Sequence, residues 1–181
     1  MFIIQDGFYR DPHNVRQYAL DQQYETQGNY PGLRTEACGG EYFFNIKKDF
    51  ERILNRPITY WARGYNTAFQ YTTEGCKTWI HHDATKWAAV VYLTPDAPRD
   101  SGTGVYIHKP TGIYEHSEGR VDFNEYAVIE DEWELLDSAS NVFNRLVLYS
   151  GMSYHRSILP GFGTDKYTGR LFQTFFFDTA E

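Results

Sequence analysis

The residues best suited to chemistry are His81 and Asp83, set in Trp79-Ile80-His81-His82-Asp83, with a lone histidine, His155, far downstream. In an extended chain successive side chains alternate between faces, so His81 and Asp83 share one face and His82 turns away. That pairs an imidazole with a carboxylate. A third ligand from elsewhere would complete a set of two histidines and one carboxylate, which holds ferrous iron on one side and leaves the other open for oxygen chemistry. A histidine and an aspartate two positions apart also occur by chance, so the tripeptide acquires meaning only from what the chain places beside it.

The elements around it read as two helices followed by strands. Asp11 is a candidate N-cap, with Pro12 in the first turn, for a helix carrying Val15 to Leu20. A second helix fits Lys47 to Leu54, where Phe50, Ile53 and Leu54 make one apolar face and Pro57 limits the end. From Ile58 the pattern turns to β: Tyr60 to Tyr65, Thr67 to Thr73, Lys86 to Leu93, Gly104 to His108, Arg145 to Tyr149, the approach to His155, and Arg170 to Phe177. These strands follow one another too closely for helical crossovers, which favours an antiparallel, mostly β domain. Residues 109–141 read as an irregular insert with a short helix around Glu130 to Leu136, and a long irregular segment inside a compact domain is more often a functional lid than a linker.

Composition narrows the function classes. The chain of 181 residues fits a single domain, 1–181, large enough to bury a core without a metal or disulfide staple, with 1–57 as an N-terminal helical lead. Aromatic residues make up 18% of it, which suits strands and argues against disorder. The net charge of -7 and the lack of a lysine or arginine block argue against a nucleic-acid partner. Met1 to Asp6 is too short an apolar run for a secretory signal, and no stretch approaches membrane-spanning length, so a soluble cytoplasmic protein is expected. Cys38 and Cys76 form no CxxC or zinc-ribbon spacing, which leaves two reduced thiols as the simpler expectation.

The order Tyr71, His81-x-Asp83, Tyr92-Leu93-Thr94, Ser101-Gly102-Thr103, His155 and Arg170 resembles the iron(II)- and 2-oxoglutarate-dependent dioxygenases, in particular their small prolyl-hydroxylase-like branch. Asn29-Tyr30-Pro31-Gly32-Leu33-Arg34, Asn144 to Tyr149 and Tyr154-His155-Arg156-Ser157 also look like a group of uncharacterised members of that superfamily. The resemblance implies a double-stranded β-helix (a cupin-like jelly roll) with helices packed outside. It implies that His81, Asp83 and His155 ligate Fe(II), and that 2-oxoglutarate and O2 are cosubstrates, with succinate and CO2 released as a substrate is hydroxylated. It further implies a basic residue for the far carboxylate of 2-oxoglutarate, for which Arg170 is preferred and Lys166 is the runner-up, and tyrosines that hydrogen-bond the cosubstrate, here Tyr71 and Tyr92.

Other candidates read as structural. His82 faces away by alternation, His108 and His116 flank the irregular segment, with His116, beside Glu115 and near Glu118, expected on a solvated loop, and Arg156 adjoins His155 on the opposite face. Arg145 is a further carboxylate candidate. The four tryptophans are expected in the core, with Trp133 the one to watch as a lid contact. Two other functions stay open: a cupin-like metal enzyme that does not use 2-oxoglutarate, and a catalytically silent jelly-roll binding domain. The substrate is expected to be a small molecule or a protein side chain.

Overall fold

A computed structural model describes residues 1–25, 28–39, 45–117 and 130–181. Among these, ten strands and two α-helices follow one another as β1 (Phe2–Asp6), α1 (Pro12–Leu20), β2 (Leu33–Arg34), α2 (Ile46–Leu54), β3 (Ile58–Trp61), β4 (Phe69–Thr72), β5 (Trp87–Tyr92), β6 (Thr103–His108), β7 (Trp133–Ala139), β8 (Arg145–Ser150), β9 (His155–Ser157) and β10 (Arg170–Thr179). All pairings are antiparallel. The larger sheet runs β1-β8-β5-β10-β4-β2, with β3 also on β10, and the smaller runs β7-β6-β9. Two sheets facing one another, with helices on the outer side of the larger, form the jelly roll expected from the sequence. No helix among the described residues is long and apolar enough to cross a membrane.

The central strands β5, β8 and β10 are apolar on both faces because both are covered. One face carries Ala89, Val91, Leu146, Leu148, Leu171, Phe175 and Phe177 against the helices. The other carries Ala88, Val90, Tyr92, Val147, Tyr149 and Phe172 toward the smaller sheet. Helix α1 begins where Asp11 accepts a hydrogen bond from the Asn14 backbone N–H, which satisfies one otherwise orphaned donor of the first turn. Helix α2 ends at Asn55, in the left-handed conformation that closes many helices. Its Phe50 is fully buried and lies 5.0 Å from Phe175 and 4.9 Å from Phe177, ring centre to ring centre. Burying one such ring contributes about 1.5–3 kcal/mol, so the aromatic content of β10 is spent in holding the helices to the sheet.

One stretch departs from the sequence reading. In place of a helix near Glu130 to Leu136 there is a single 3-10 turn, Glu130–Glu132, followed directly by β7, which pairs with β6. The register skips Leu136, since Val105 faces Asp137 and Tyr106 faces Leu135. Such a bulge breaks the two-residue alternation, and Leu135 and Leu136 are both exposed on this edge strand, so the usual strand signature is missing. Residues 118–129 of the expected insert lie outside the described residues. Both cysteines are free thiols, with Cys38 buried.

Candidate metal centre

The segment holding His81 and Asp83 is not a regular strand. It touches the smaller sheet through one bridge, in which the His81 and His155 backbones exchange N–H···O bonds of 3.1 and 2.8 Å. That bridge brings the two imidazoles to 4.6 Å, centre to centre, although they are far apart in sequence. Asp83 is held separately, its N–H donating to the Gly151 carbonyl at 2.7 Å. The outcome is a cluster in which one ligand atom from each of His81, Asp83 and His155 lies within 4.8 Å of the others. The Asp83 carboxylate oxygens stand 3.9 Å from His81 Nε2 and 3.4 Å from His155 Nε2.

The protonation pattern of the cluster suits a cation. His81 Nδ1 lies 2.9 Å from the Trp79 carbonyl, and His155 Nδ1 lies 2.7 Å from that of Ser153. A carbonyl can only accept, so each Nδ1 donates its proton to one, and each Nε2 is the ring nitrogen turned toward Asp83. Burial first, and then the neighbouring His81, hold His155 well below the ordinary histidine range, which keeps it neutral. Burial pushes the Asp83 carboxyl up, against the opposing pull of His81 and Arg34. Asp83 Oδ2 is buried and has no hydrogen-bond partner among the described residues. A buried carboxylate oxygen left without a hydrogen-bond partner is costly, and a divalent ion held between it and the two imidazole nitrogens would satisfy it. The donor set of two imidazole nitrogens and one carboxylate suits ferrous iron.

The cluster forms one wall of a cavity of about 400 Å³ that opens between the sheets. Val90, Thr103, Tyr149, Phe172 and Thr174 line its interior, and Asn29, Tyr30, Arg34, Tyr65 and Phe176 also border it. His82 leaves the cluster. Its ring stacks on His116 at 4.1 Å and meets Tyr154 edge-on, while still bordering the cavity. His116 is therefore packed, where a solvated loop residue was expected.

The other sequence candidates divide clearly. Arg170 and Tyr92 both project from the cavity-side face of the larger sheet and are almost fully buried, at 1% exposure each. The Tyr92 hydroxyl shares a 2.7 Å hydrogen bond with Thr103 Oγ1, linking the two sheets. One Arg170 terminal nitrogen donates to the Ile158 carbonyl at 2.7 Å, but its Nε has no partner among the described residues. Thr72, its cross-strand partner, likewise has an unpartnered buried hydroxyl. Arg170 does not itself border the open cavity, whereas Phe172, its neighbour on the same face, does.

Tyr71 and Lys166 are elsewhere. One position out of phase with Gln70 and Thr72, Tyr71 turns to the helix side and packs against Tyr24 with centroids 5.1 Å apart. Lys166 donates to the Leu20 carbonyl at the end of α1, at 2.6 Å. Arg145 is paired with Asp6, and Arg156 makes a double hydrogen bond to Glu130 while bordering the cavity. Trp133 packs with Ile80, Tyr106 and Tyr154, and Trp79 is the tryptophan that reaches the cavity.

Three contributors were not singled out from sequence. Arg34 borders the cavity from β2, a two-residue strand too short to register as one. Gln70, next to Tyr71, is the β4 side chain bordering the cavity. Gly151 supports Asp83: a β-carbon there would lie 2.2 Å from the Thr85 carbonyl oxygen and 3.3 Å from Asp83 Cβ. Gly151→Ala must therefore displace the turn that carries Asp83. We expect metal affinity, measured by calorimetry, to fall about tenfold or more, in line with the loss of supporting contacts around metal ligands. Unchanged affinity would show that the turn relaxes freely.

Solved structures share this architecture. HygX from Streptomyces hygroscopicus, with nickel and 2-oxoglutarate bound, matches over 96% of this chain and 81% of its own with a TM-score of 0.64 at 12% identity. A prolyl hydroxylase from Trichoplax adhaerens, in complex with a hypoxia inducible factor peptide fragment, matches over 98% and 83% with a TM-score of 0.58 at 12% identity. A prolyl-4-hydroxylase from Pseudomonas putida matches over 97% and 91% with a TM-score of 0.56, again at 12% identity. The chain thus has the fold of iron- and 2-oxoglutarate-dependent dioxygenases. No curated protein matches its sequence. A family profile does, over residues 1–177, and the chain accordingly belongs to the family of unknown function DUF6445.

Proposed function

We propose that this protein is a non-haem iron(II)- and 2-oxoglutarate-dependent oxygenase that hydroxylates a small-molecule or side-chain substrate. The observation that carries the reading is the convergence of His81 Nε2, Asp83 and His155 Nε2 beside a cavity, with both Nδ1 atoms already committed to carbonyls. These three residues would hold the metal. When bound, ferrous iron supplies the redox chemistry, in which O2 is reduced as the keto acid is oxidatively decarboxylated to succinate and CO2 and a substrate C–H becomes C–OH.

The chain's own contribution is position and environment. The backbone bridge between His81 and His155 fixes the two rings, and the carbonyls of Trp79 and Ser153 fix their tautomers. Arg170 is our candidate for the far carboxylate of 2-oxoglutarate. Its unpartnered Nε and the unpartnered Thr72 hydroxyl are buried polar groups that an anion would satisfy, each worth about 1–3 kcal/mol when left unpaired. Tyr92 and Thr103 add hydroxyls on the same side. Tyr149, Phe172 and Val90 line the cavity with apolar surface that limits water near the reacting carbon.

Anaerobic addition of ferrous iron and then 2-oxoglutarate tests the reading. We expect a weak visible metal-to-ligand charge-transfer band, and succinate once oxygen is admitted. Iron binding with neither band nor succinate would overturn it and favour cupin-like chemistry without the keto acid.

A further inference from the structure

The cavity contains a cation for which the oxygenase reading has no use. We infer that Arg34 is a substrate-binding residue, and that the substrate is a small organic acid whose carboxylate it receives in the cavity that the metal ligands also border. The inference rests on the proposed oxygenase function and names the chemical class of its substrate.

Arg34 is built into place. On β2 it faces Gln70 of β4, so both side chains project to the cavity side. Its Nε and one terminal nitrogen donate to Gln70 Oε1 at 2.9 and 2.5 Å, and the Gln70 amide nitrogen donates in turn to the Pro31 carbonyl at 2.6 Å. This second bond fixes which end of the amide meets the guanidinium. The guanidinium also lies over the Tyr30 ring, 3.9 Å from its centre, and 6.0 Å from that of Phe176. A stacked, braced guanidinium has little rotamer freedom left to lose on meeting a ligand.

No described carboxylate neutralises it. The other cavity-bordering arginine, Arg156, is paired with Glu130, but no carboxylate lies within ion-pair distance of Arg34 among the described residues. The second terminal nitrogen makes no hydrogen bond to a described residue. Asp83 is the acid whose field reaches Arg34, and in the working site that charge belongs to the metal. A divalent ion, the Asp83 carboxylate, a dianionic keto acid and Arg170 together sum to zero. Arg34 then remains as the surplus positive charge, partly desolvated, in a cavity that must admit one more molecule. A monoanion completes the balance, and a carboxylate matches the planar fork of the guanidinium. Tyr65 and Phe176, 5.3 Å apart and edge-to-face, supply apolar surface beside it for the carbon skeleton of the acid.

The test uses the protein loaded with manganese and 2-oxoglutarate, which does not turn over, and benzoate with benzamide as the probe pair. Binding is read by calorimetry and by quenching of Trp79, which borders the cavity. Benzoate should bind saturably and benzamide at least tenfold more weakly. Arg34→Gln should weaken benzoate at least tenfold while leaving the affinity for 2-oxoglutarate unchanged. If Arg34→Gln does not fold, Arg34→Lys keeps the charge without the fork and should still bind benzoate more weakly than the wild type. Equal binding of the two probes, no binding of benzoate, or benzoate binding indifferent to the substitution would overturn the inference. Loss of 2-oxoglutarate affinity in Arg34→Gln would overturn it too, by making Arg34 the cosubstrate anchor. Failure of the oxygenase reading shows separately, as wild-type protein that does not take up manganese and 2-oxoglutarate, and the benzoate titration can then be made on the metal-free protein.

Discussion

Asp83→Asn is expected to stabilise the metal-free protein at neutral pH and to abolish metal-dependent turnover. Burial raises the Asp83 carboxyl above its ordinary value of 3.8, and one of its oxygens has no hydrogen-bond partner among the described residues. A carboxyl raised in the folded state contributes stability that is fully present below its unfolded pKa and is lost as pH rises through the folded one. Metal-free wild-type protein therefore carries the penalty at pH 7, and asparagine removes it, a gain of about 1–3 kcal/mol that should vanish in acid. His155 acts with the opposite sign. Its depressed pKa contributes stability that is present above its unfolded value near 6.5 and lost as pH falls.

Metal reverses the ranking. At a concentration of 100 times Kd, a ligand that binds only the folded state adds about 2.7 kcal/mol, a gain open to the wild type and closed to the variant. Thermal melts with and without metal, at neutral and acid pH, check both halves. His81→Ala should likewise lose metal-dependent turnover, whereas His82→Ala, whose ring stacks on His116 outside the cluster, should keep most of it. Equal losses from His81 and His82 substitutions would contradict the assignment.

Arg170→Ala should raise the KM for 2-oxoglutarate by about 10–100-fold, the equivalent of losing a charge-assisted hydrogen-bonding group worth about 1.5–3 kcal/mol. Lys166→Ala should leave that KM within about twofold. It removes a bond to the Leu20 carbonyl at the end of α1, so its effect is on stability, about 1 kcal/mol. Initial rates at varied 2-oxoglutarate, together with thermal melts, separate the two effects. A raised KM in Lys166→Ala and a normal one in Arg170→Ala would transfer the role to Lys166.

Local rules made much of this legible before the structure. The Asp11 cap and Pro12 placed α1, and the apolar spacing of Phe50 placed α2 to within a residue. Alternation separated His82 from His81 and Asp83 even though the segment proved to be a single bridge, because one extended bridge suffices to set which way neighbouring side chains point. The family resemblance, not alternation, points to Tyr71, and the structure turns that side chain to the helix side, one position out of phase with Gln70. In a strand covered on both faces, aromatic character does not say which face is the cavity, and only pairing with β10 and β2 puts Gln70 there and Tyr71 among the helices. Strand β7 was hidden by its bulge and its exposed leucines. Arg34 lay within a recognisable Asn-Tyr-Pro-Gly-Leu-Arg stretch, but its importance depends on distant Gln70, a tertiary fact without a local signal.

The most direct measurement is anomalous diffraction at the iron edge from crystals grown anaerobically with ferrous iron. One strong peak is expected, bonded to His81 Nε2, a carboxylate oxygen of Asp83 and His155 Nε2, at about 2.0–2.2 Å from each, as for imidazole and carboxylate ligands of similar divalent ions. A peak elsewhere, or one that includes His82 in place of His81, would contradict the ligand assignment.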